Sequence, residues 1–266
     1  MNVDRYALFG HPVALSLSPR IHQQFAQSLG ETIIYNKEVV FPEHFSLAVC
    51  NFFEKGGSGL NITVPHKESA YRLADKVSED AAIAAAANTL WIKDKKIHAD
   101  NTDGRGFIQD LSRQKIKLKN KTIMILGAGG AVRGILAPLL KQNPKQLFIV
   151  NRTLKKVEQL VEDFSNLGKI SALSMEEIHR QPIDLLINGI SLHQIPIDKI
   201  NLKPRANYYD LKYSKAAEAS LLWAEEQGFN KISDGWGMLV SQAAESYKIW
   251  RGKMPDITEV LKWNDK

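Results

Sequence analysis

A chain of 266 residues is long enough to bury a sizeable core and to form two modest domains. Its 35 Lys and Arg against 29 Asp and Glu give a net charge of +6 with the lysines scattered, which suits anionic small molecules. It argues against a nucleic-acid groove, which wants basic clusters interleaved with aromatics. The single cysteine, Cys50, excludes an internal disulfide, and no Cys/His spacing calls for a metal. No apolar run approaches about 18 residues, and no signal-peptide pattern opens the chain, so a soluble, cytoplasmic protein is expected.

Arg5 to Gly10 predicts a first strand, followed by a loop, His11 to Pro19, whose prolines deny it regular structure. A helix is expected next, with Pro19 at its start, Ile21, Phe25 and Leu29 on its buried side and Gly30 closing it. Ser18 is a natural N-cap for that helix; Ser16 has no such duty, and two hydroxyls at a strand's end can hold a carboxylate or a polyol. Ile33 to Val40 reads as a second strand and Glu43 to Glu54 as a helix. Leu60, Ile62 and Val64 alternate with Asn61 and Thr63, which predicts a strand with one polar side, stopped by Pro65. Lys67 then opens a helix at that strand's carboxyl end, where α/β sheets bind ligands. A helix dipole disfavours a lysine there, so either it does acid–base work or it reaches outward to solvent.

Ser78 to Ala87 reads as an alanine-rich helix that delivers Asn88-Thr89 to a hairpin, Leu90–Lys93 and Lys96–Ala99, around Asp94-Lys95. Asp100 to Gly104 reads as a loop capping a helix over Arg105 to Arg113, and as a domain boundary. Lys121 to Leu126 is a short apolar run, Gly127-Ala128-Gly129-Gly130-Ala131 follows, and Val132 to Leu140 has helical spacing. A strand turning through glycines into a helix aims backbone N–H groups and a helix dipole at one point, which is a site for a pyrophosphate. Val132 breaks the strict glycine pattern, and an ordinary βα turn would look the same. Gln146 to Val150 predicts the next parallel strand, and at its end Asn151, Arg152, Thr153, Lys155 and Lys156 offer donors for a ribose 2′-phosphate where an acid would select a free hydroxyl. That favours NADP over NAD. Ile183 to Gly189 and Ala206 to Leu211 read as third and fourth parallel strands. Lys215 to Gln227 reads as a helix, Lys231 to Ser233 as a last strand, Asp234 to Gly237 as a hinge, and Met238 to Trp250 as a helix on which Gln242 caps the core.

Several of these segments together resemble the shikimate dehydrogenase family over essentially the whole chain. They are Gly10-His11-Pro12 to Ser16-Leu17-Ser18-Pro19, Asn61 to Lys67, Ala87-Asn88-Thr89, Asn101 to Gly104, Gly127 to Ala131, Asn151-Arg152-Thr153, Tyr209 to Tyr213, and Asp234 to Leu239 with Gln242. The resemblance implies NADPH-dependent, reversible reduction of 3-dehydroshikimate to shikimate in aromatic amino-acid biosynthesis. It implies an α/β protein of two domains flanking a cleft: a discontinuous substrate-binding and catalytic domain, 1–102 with 236–266, and a Rossmann-like NADP-binding domain, 103–235. Carried over by position, Lys67 and Asp103 are the catalytic pair, Ser16 and Ser18 bind the substrate carboxylate, and Thr63, Asn88, Tyr213 and Gln242 bind its hydroxyls. Gly127, Ala128, Gly129, Gly130, Ala131, Asn151, Arg152, Thr153 and Lys156 form the cofactor site, with Leu211, Gly235 and Met238 near the nicotinamide. Hydride arriving at a ketone carbon leaves charge on oxygen, which an ammonium can stabilise and protonate. A carboxylate beside that ammonium makes the two a coupled pair. A monomer or homodimer binding only small molecules is expected, with no nucleic acid, membrane or metal.

Three positions depart from the family's pattern. Leu15 stands where His is usual, Asn188-Gly189-Ile190 where Asn-Ala-Thr is usual with a glycine a few places on, near His193, and Leu211 where Met is common. Rival readings are an NAD-using quinate/shikimate dehydrogenase, a methyltransferase-like nucleotide fold, and a non-catalytic nucleotide-binding regulator on the same scaffold. The absence of an acid at Asn151–Thr153 argues against the first two, and an intact Lys67 and Asp103 against the third.

Overall fold

The computed structural model describes residues 3–190, 195 and 197–265. The chain divides into two compact units, Met1–Gly106 with Leu239–Lys266, and Phe107–Met238.

In the first unit the elements run β1 (Asp4–Gly10), α1 (Ser18–Ser28), β2 (Ile33–Val39), α2 (Phe45–Glu54), β3 (Gly59–Ile62), α3 (Lys67–Leu73), β4 (Lys76–Val77), α4 (Glu79–Ala84), β5 (Thr89–Lys93), β6 (Lys96–Asp100) and the start of α5 (Asp103–Arg113). The strands lie in the order β2-β1-β3-β5-β6-β4. β1 is parallel to β2 and β3, β4 is parallel to β6, and β5 runs antiparallel to both its neighbours. The ends of β1, β3 and β6 and the start of β5 therefore share one edge of the sheet. Phe9, Phe45, Val49, Leu60, Ile62 and Leu90 form a buried apolar layer. A second packing cluster is aromatic: the His22 ring stacks on Tyr35 at 4.4 Å, and Tyr6 stacks on Trp250 at 4.7 Å.

Several expectations for this unit need correction. β3 ends at Ile62, short of Val64, and Asn61 on it is buried, where it accepts from the Tyr35 hydroxyl at 2.7 Å. The alanine-rich helix stops at Ala84 because Ala85 is left-handed (φ 47°), and Ala87 donates instead to the Lys67 carbonyl at 2.8 Å; this tertiary bond overrides helix propensity. Asp103 is the first residue of α5, two places earlier than the capping-loop reading. Ser18 is also inside its helix: Leu17 occupies the cap position, and no side chain bonds there. In the second unit, Trp236 and Gly237 belong to helix rather than to a hinge. β4 was not foreseen.

In the second unit β7 (Thr122–Leu126), α6 (Gly130–Leu140), β8 (Gln146–Val150), α7 (Leu154–Phe164), β9 (Ile170–Leu173), β10 (Ile183–Asn188), β11 (Leu202–Asp210), α8 (Glu218–Glu226) and β12 (Lys231–Ser233) follow. α9 (Trp236–Arg251) and α10 (Thr258–Leu261) complete the chain. Every strand pairing in this sheet is parallel, in the order β12-β11-β10-β7-β8-β9. Read from β9, that is the doubly wound order 3-2-1-4-5-6, whose crossover reverses between β7 and β10 and leaves a crevice at their carboxyl ends. The unforeseen β9 makes Ile183–Asn188 the fourth strand of this sheet, not the third. Ile123, Ile125, Leu147, Ile149, Leu185 and Ile187 are buried. Burial on both faces is why these strands read as continuous apolar runs.

Candidate active site

The shared edge of the first sheet gathers the polar residues. Lys67 begins α3 beyond β3, Asp103 begins α5 beyond β6, and Asn88 precedes β5. The Lys67 ammonium and the Asp103 carboxylate are in direct contact, with side chains only 15 % and 6 % exposed. A surface pair would contribute little; this one is largely out of water, so loss of either partner strands a charge that costs several kcal/mol to bury alone. The pairing also resolves the misplaced lysine, because the dipole penalty at the start of α3 is offset by the carboxylate. That carboxylate is itself favourably placed in the first turn of α5.

Behind the pair stands a hydrogen-bonded amide. Asn88 Nδ2 lies 2.9 Å from Asp103 Oδ1, 2.9 Å from Thr102 Oγ1 and 3.1 Å from Gln242 Oε1, while Asn88 Oδ1 accepts from the Thr102 amide at 2.9 Å. Thr89 and Ser246, both buried, close the network at 2.7 Å from each other. Gln242 donates to the Leu239 carbonyl (2.8 Å) while accepting from Asn88, so it joins the cluster rather than merely capping the core. Ser16 and Ser18 form a second pair, hydroxyl to hydroxyl at 3.1 Å, in the loop after β1. Thr63 is partly buried at the end of β3, where its amide donates to the Phe9 carbonyl at 2.9 Å. Tyr213 belongs to the other unit, where its ring lies 6.2 Å from Trp236 and burial raises its hydroxyl pKa.

In the second unit the crevice at the β7–β10 reversal is a cavity of about 600 Å³. Gly127, Ala128 and Gly129 line one side, Asn151, Arg152, Thr153 and Lys156 another. Gly127 is required by the fold: its φ is +109°, and a Cβ there would sit 2.8 Å from the Gly189 carbonyl oxygen. Gly129 and Gly130 are different, since a Cβ on either would meet nothing within 4 Å. No protein atom demands glycine there, so the open space fits a group that approaches the backbone at the start of α6. α7 has no acid in its first turn and carries Lys155 and Lys156 there, against its own dipole; its cap residue Thr153 makes no side-chain capping bond. None of the described residues lining the cavity is acidic. Arg152, Thr153 and Lys156, which line the cavity, suit a dianionic phosphate, so the residues present fit a phosphorylated dinucleotide.

Residues 8–90 match the family described as "Shikimate dehydrogenase substrate binding domain", residues 110–208 "Shikimate / quinate 5-dehydrogenase", and residues 235–262 "Shikimate 5'-dehydrogenase C-terminal domain". The chain is 43% identical over 265 residues to the Photobacterium profundum protein named shikimate dehydrogenase (NADP(+)), covering 98% of this chain and 97% of the relative. It belongs to the shikimate dehydrogenase family. Among solved structures, an Ael1 enzyme from Pseudomonas putida superposes with a TM-score of 0.89 at 36% identity, covering 98% of each chain. The Thermus thermophilus shikimate 5-dehydrogenase, solved with NADP(H) and shikimate, does so at 0.84 and 27% identity over 99% of each.

Against the family pattern, the structure accounts for some of the departures. Gly189 is where a Cβ would lie 2.4 Å from Val132 Cγ2, so the bulkier Val132 and the missing side chain at 189 fit each other. Ile190 replaces a hydroxyl on the cavity wall with an apolar group. Leu15 is 92% exposed and braces nothing. His193 lies outside the described residues. Of the residues expected at the cofactor site of a shikimate dehydrogenase, Gly130, Ala131, Leu211, Gly235 and Met238 do not line the cavity. Leu211 stands beside it, with Cδ1 3.4 Å from where a Gly189 Cβ would lie, and a Cβ on Gly235 would be 2.5 Å from the Leu211 carbonyl oxygen.

The sequence reading missed Met175 and Ile197 on the wall, which carry no chemical signal of their own. It also missed Asp210. That carboxylate, fully buried, accepts from Asn188 Nδ2 and the Lys212 amide, both at 2.7 Å, and from the Ser220 hydroxyl, and burial raises its pKa. It ties the ends of β10 and β11 together below the crevice. A lone aspartate ending an apolar strand was its available signal.

Proposed function

We propose that this chain catalyses the reversible, NADP-dependent interconversion of 3-dehydroshikimate and shikimate. The observation that carries the reading is the largely buried Lys67–Asp103 contact, held by Asn88 at the ligand-binding edge of the first sheet. In this reading the Ser16 and Ser18 hydroxyls receive the substrate carboxylate. Thr63, Asn88, Gln242 and Tyr213 orient its hydroxyls. Bound at Gly127–Ala131 with its 2′-phosphate on Arg152, Thr153 and Lys156, the cofactor supplies or accepts the hydride.

As the ketone is reduced, the Lys67 ammonium donates its proton to the oxygen that gains charge; in the oxidative direction its neutral amine takes the alcohol proton. Asp103 orients Lys67 and compensates its charge, and Asn88 fixes Asp103 in turn. Operation as a cytoplasmic monomer or homodimer belongs to the same reading.

The test is direct. Purified protein mixed with shikimate and NADP+ should raise absorbance at 340 nm, with a much lower KM for NADP+ than for NAD+. Equal use of NAD+ together with turnover of quinate would favour the quinate/shikimate branch, and silence with every combination would favour a binding protein.

A further inference from the structure

The serine loop is held by a lysine that the family pattern does not explain. Residues 11–17 leave β1 and return to α1 without regular structure, and the loop's own backbone closes only through the Ser16 amide to the Val13 carbonyl at 3.1 Å. Ser18 N approaches Ser16 Oγ at 3.3 Å, and the Ser18 side chain also bonds Tyr35, so Ser16 depends most on the path of the loop. Leu15, with its side chain in solvent, contributes nothing to that path.

Lys37 does. It lies on β2, an edge strand, opposite Leu8 of β1. Lysine on an edge strand ordinarily points outward and deters edge pairing. This side chain instead turns over the end of β1, and its Nζ reaches the carbonyl oxygens of Ala14 at 2.5 Å and Ser16 at 3.3 Å. Among the described residues no carboxylate pairs with it, so its hydrogen-bond partners there are the two loop carbonyls. Two consequences follow. An ammonium bridging two carbonyls either side of Leu15 fixes the turn that presents the Ser16 and Ser18 hydroxyls. Its charge is not cancelled locally, so it adds a positive potential beneath the place where a carboxylate would bind.

We infer that Lys37 is a positioning residue of the substrate site: its ammonium clamps the 14–16 backbone and sets the serine pair for the carboxylate of the substrate. The inference rests on the proposed activity for its kinetic half, and on the loop geometry alone for the rest. The side chain is exposed on an edge strand, so its replacement leaves the core intact.

Lys37→Met should raise the KM for shikimate about 5- to 10-fold, leave kcat within about twofold, and leave the KM for NADP+ unchanged. Lys37→Arg should restore most of the loss, because it keeps both charge and donors. Backbone hydrogen exchange over residues 14–18, followed by mass spectrometry, should quicken in Lys37→Met. An unchanged exchange rate overturns the inference, as does an unchanged KM for shikimate in a wild type that turns it over. If the wild type fails to oxidise shikimate, the proposed activity falls by itself, and the exchange measurement still decides whether Lys37 holds the loop.

Discussion

At position 67 the proposed chemistry asks for a donor that reaches an oxygen as it gains charge, and the structure supplies an amine that is fixed rather than free. Fixing comes from Asp103, itself fixed by Asn88 at 2.9 Å. Lys67→Ala should therefore lower kcat by about 10²- to 10⁴-fold, the usual contribution of a positioned acid–base group, with KM for shikimate changed by less than about threefold. A rise in KM with kcat intact would make Lys67 a binding residue. In the other unit Arg152 lines the cavity and carries a charge suited to a phosphate. Arg152→Ala removes a charge-assisted bond of about 1.5–3 kcal/mol, so KM for NADP+ should rise about 10- to 100-fold while KM for NAD+ stays put. Equal losses with both cofactors would assign the arginine to the shared part of the nucleotide. Lys67 and Arg152 could be singled out in the chain as charged side chains at strand ends, and the family resemblance supplied their proposed roles. Met175, Ile197 and Lys37 could not, since an apolar wall residue and an edge-strand lysine look ordinary until the fold shows what they touch.

Among the elements, β7 and β8 could be read directly, as buried parallel strands are unbroken apolar runs. β4, two residues long, and β9, four, offered too little pattern, and the strand order depends on pairings that no local signal encodes. The βα turn after β7 shows the same limit. Val132 looked like a flaw in the glycine pattern and Gly189 like a separate departure, yet they lie on different elements that meet at the crevice. Gly189→Ala alone places a methyl 2.4 Å from Val132 Cγ2 and should cost about 1–3 kcal/mol, with a raised KM for NADP+. Val132→Ala alone empties a fully buried site and should cost a similar amount. The double variant should be more stable than the sum of the two losses predicts by about 1 kcal/mol or more, and should recover cofactor affinity. Urea unfolding of the four proteins measures the coupling, and strict additivity would show that the two positions do not compensate.

For the molecule as a whole, pH acts on stability through groups whose pKa the fold shifts. His22 is fully buried against Tyr35, and burial pushes its imidazole pKa from the ordinary 6.5 down to about 3. Glu31 and Asp184 shift downward as well, whereas burial pushes Asp210 the other way. Lys253, with Tyr247 and Arg251, holds Glu31 at about 2, and Asp184, which burial alone would raise, is held at about 2 by Lys203 and Lys121. For His22, Glu31 and Asp184 the signs agree but the windows differ. Each folded pKa lies below its unfolded value, so each contribution is complete above the unfolded pKa and is lost as pH falls toward the folded one. For the carboxylates that loss begins only below about pH 4.5, from the ordinary values near 4. For His22 it begins at 6.5, where the unfolded chain takes up a proton that the folded chain refuses. Between about pH 6.5 and 4.5 the stability of the wild type should thus decline by up to about 1.4 kcal/mol per pH unit through this one ring. His22→Phe keeps an aromatic ring in the stack and removes this titration, so its urea midpoint should no longer fall across that window, and should fall with the wild type only below it. Parallel slopes for the two proteins from about pH 6.5 to 4.5 would mean that the buried imidazole is not the source of the acid sensitivity.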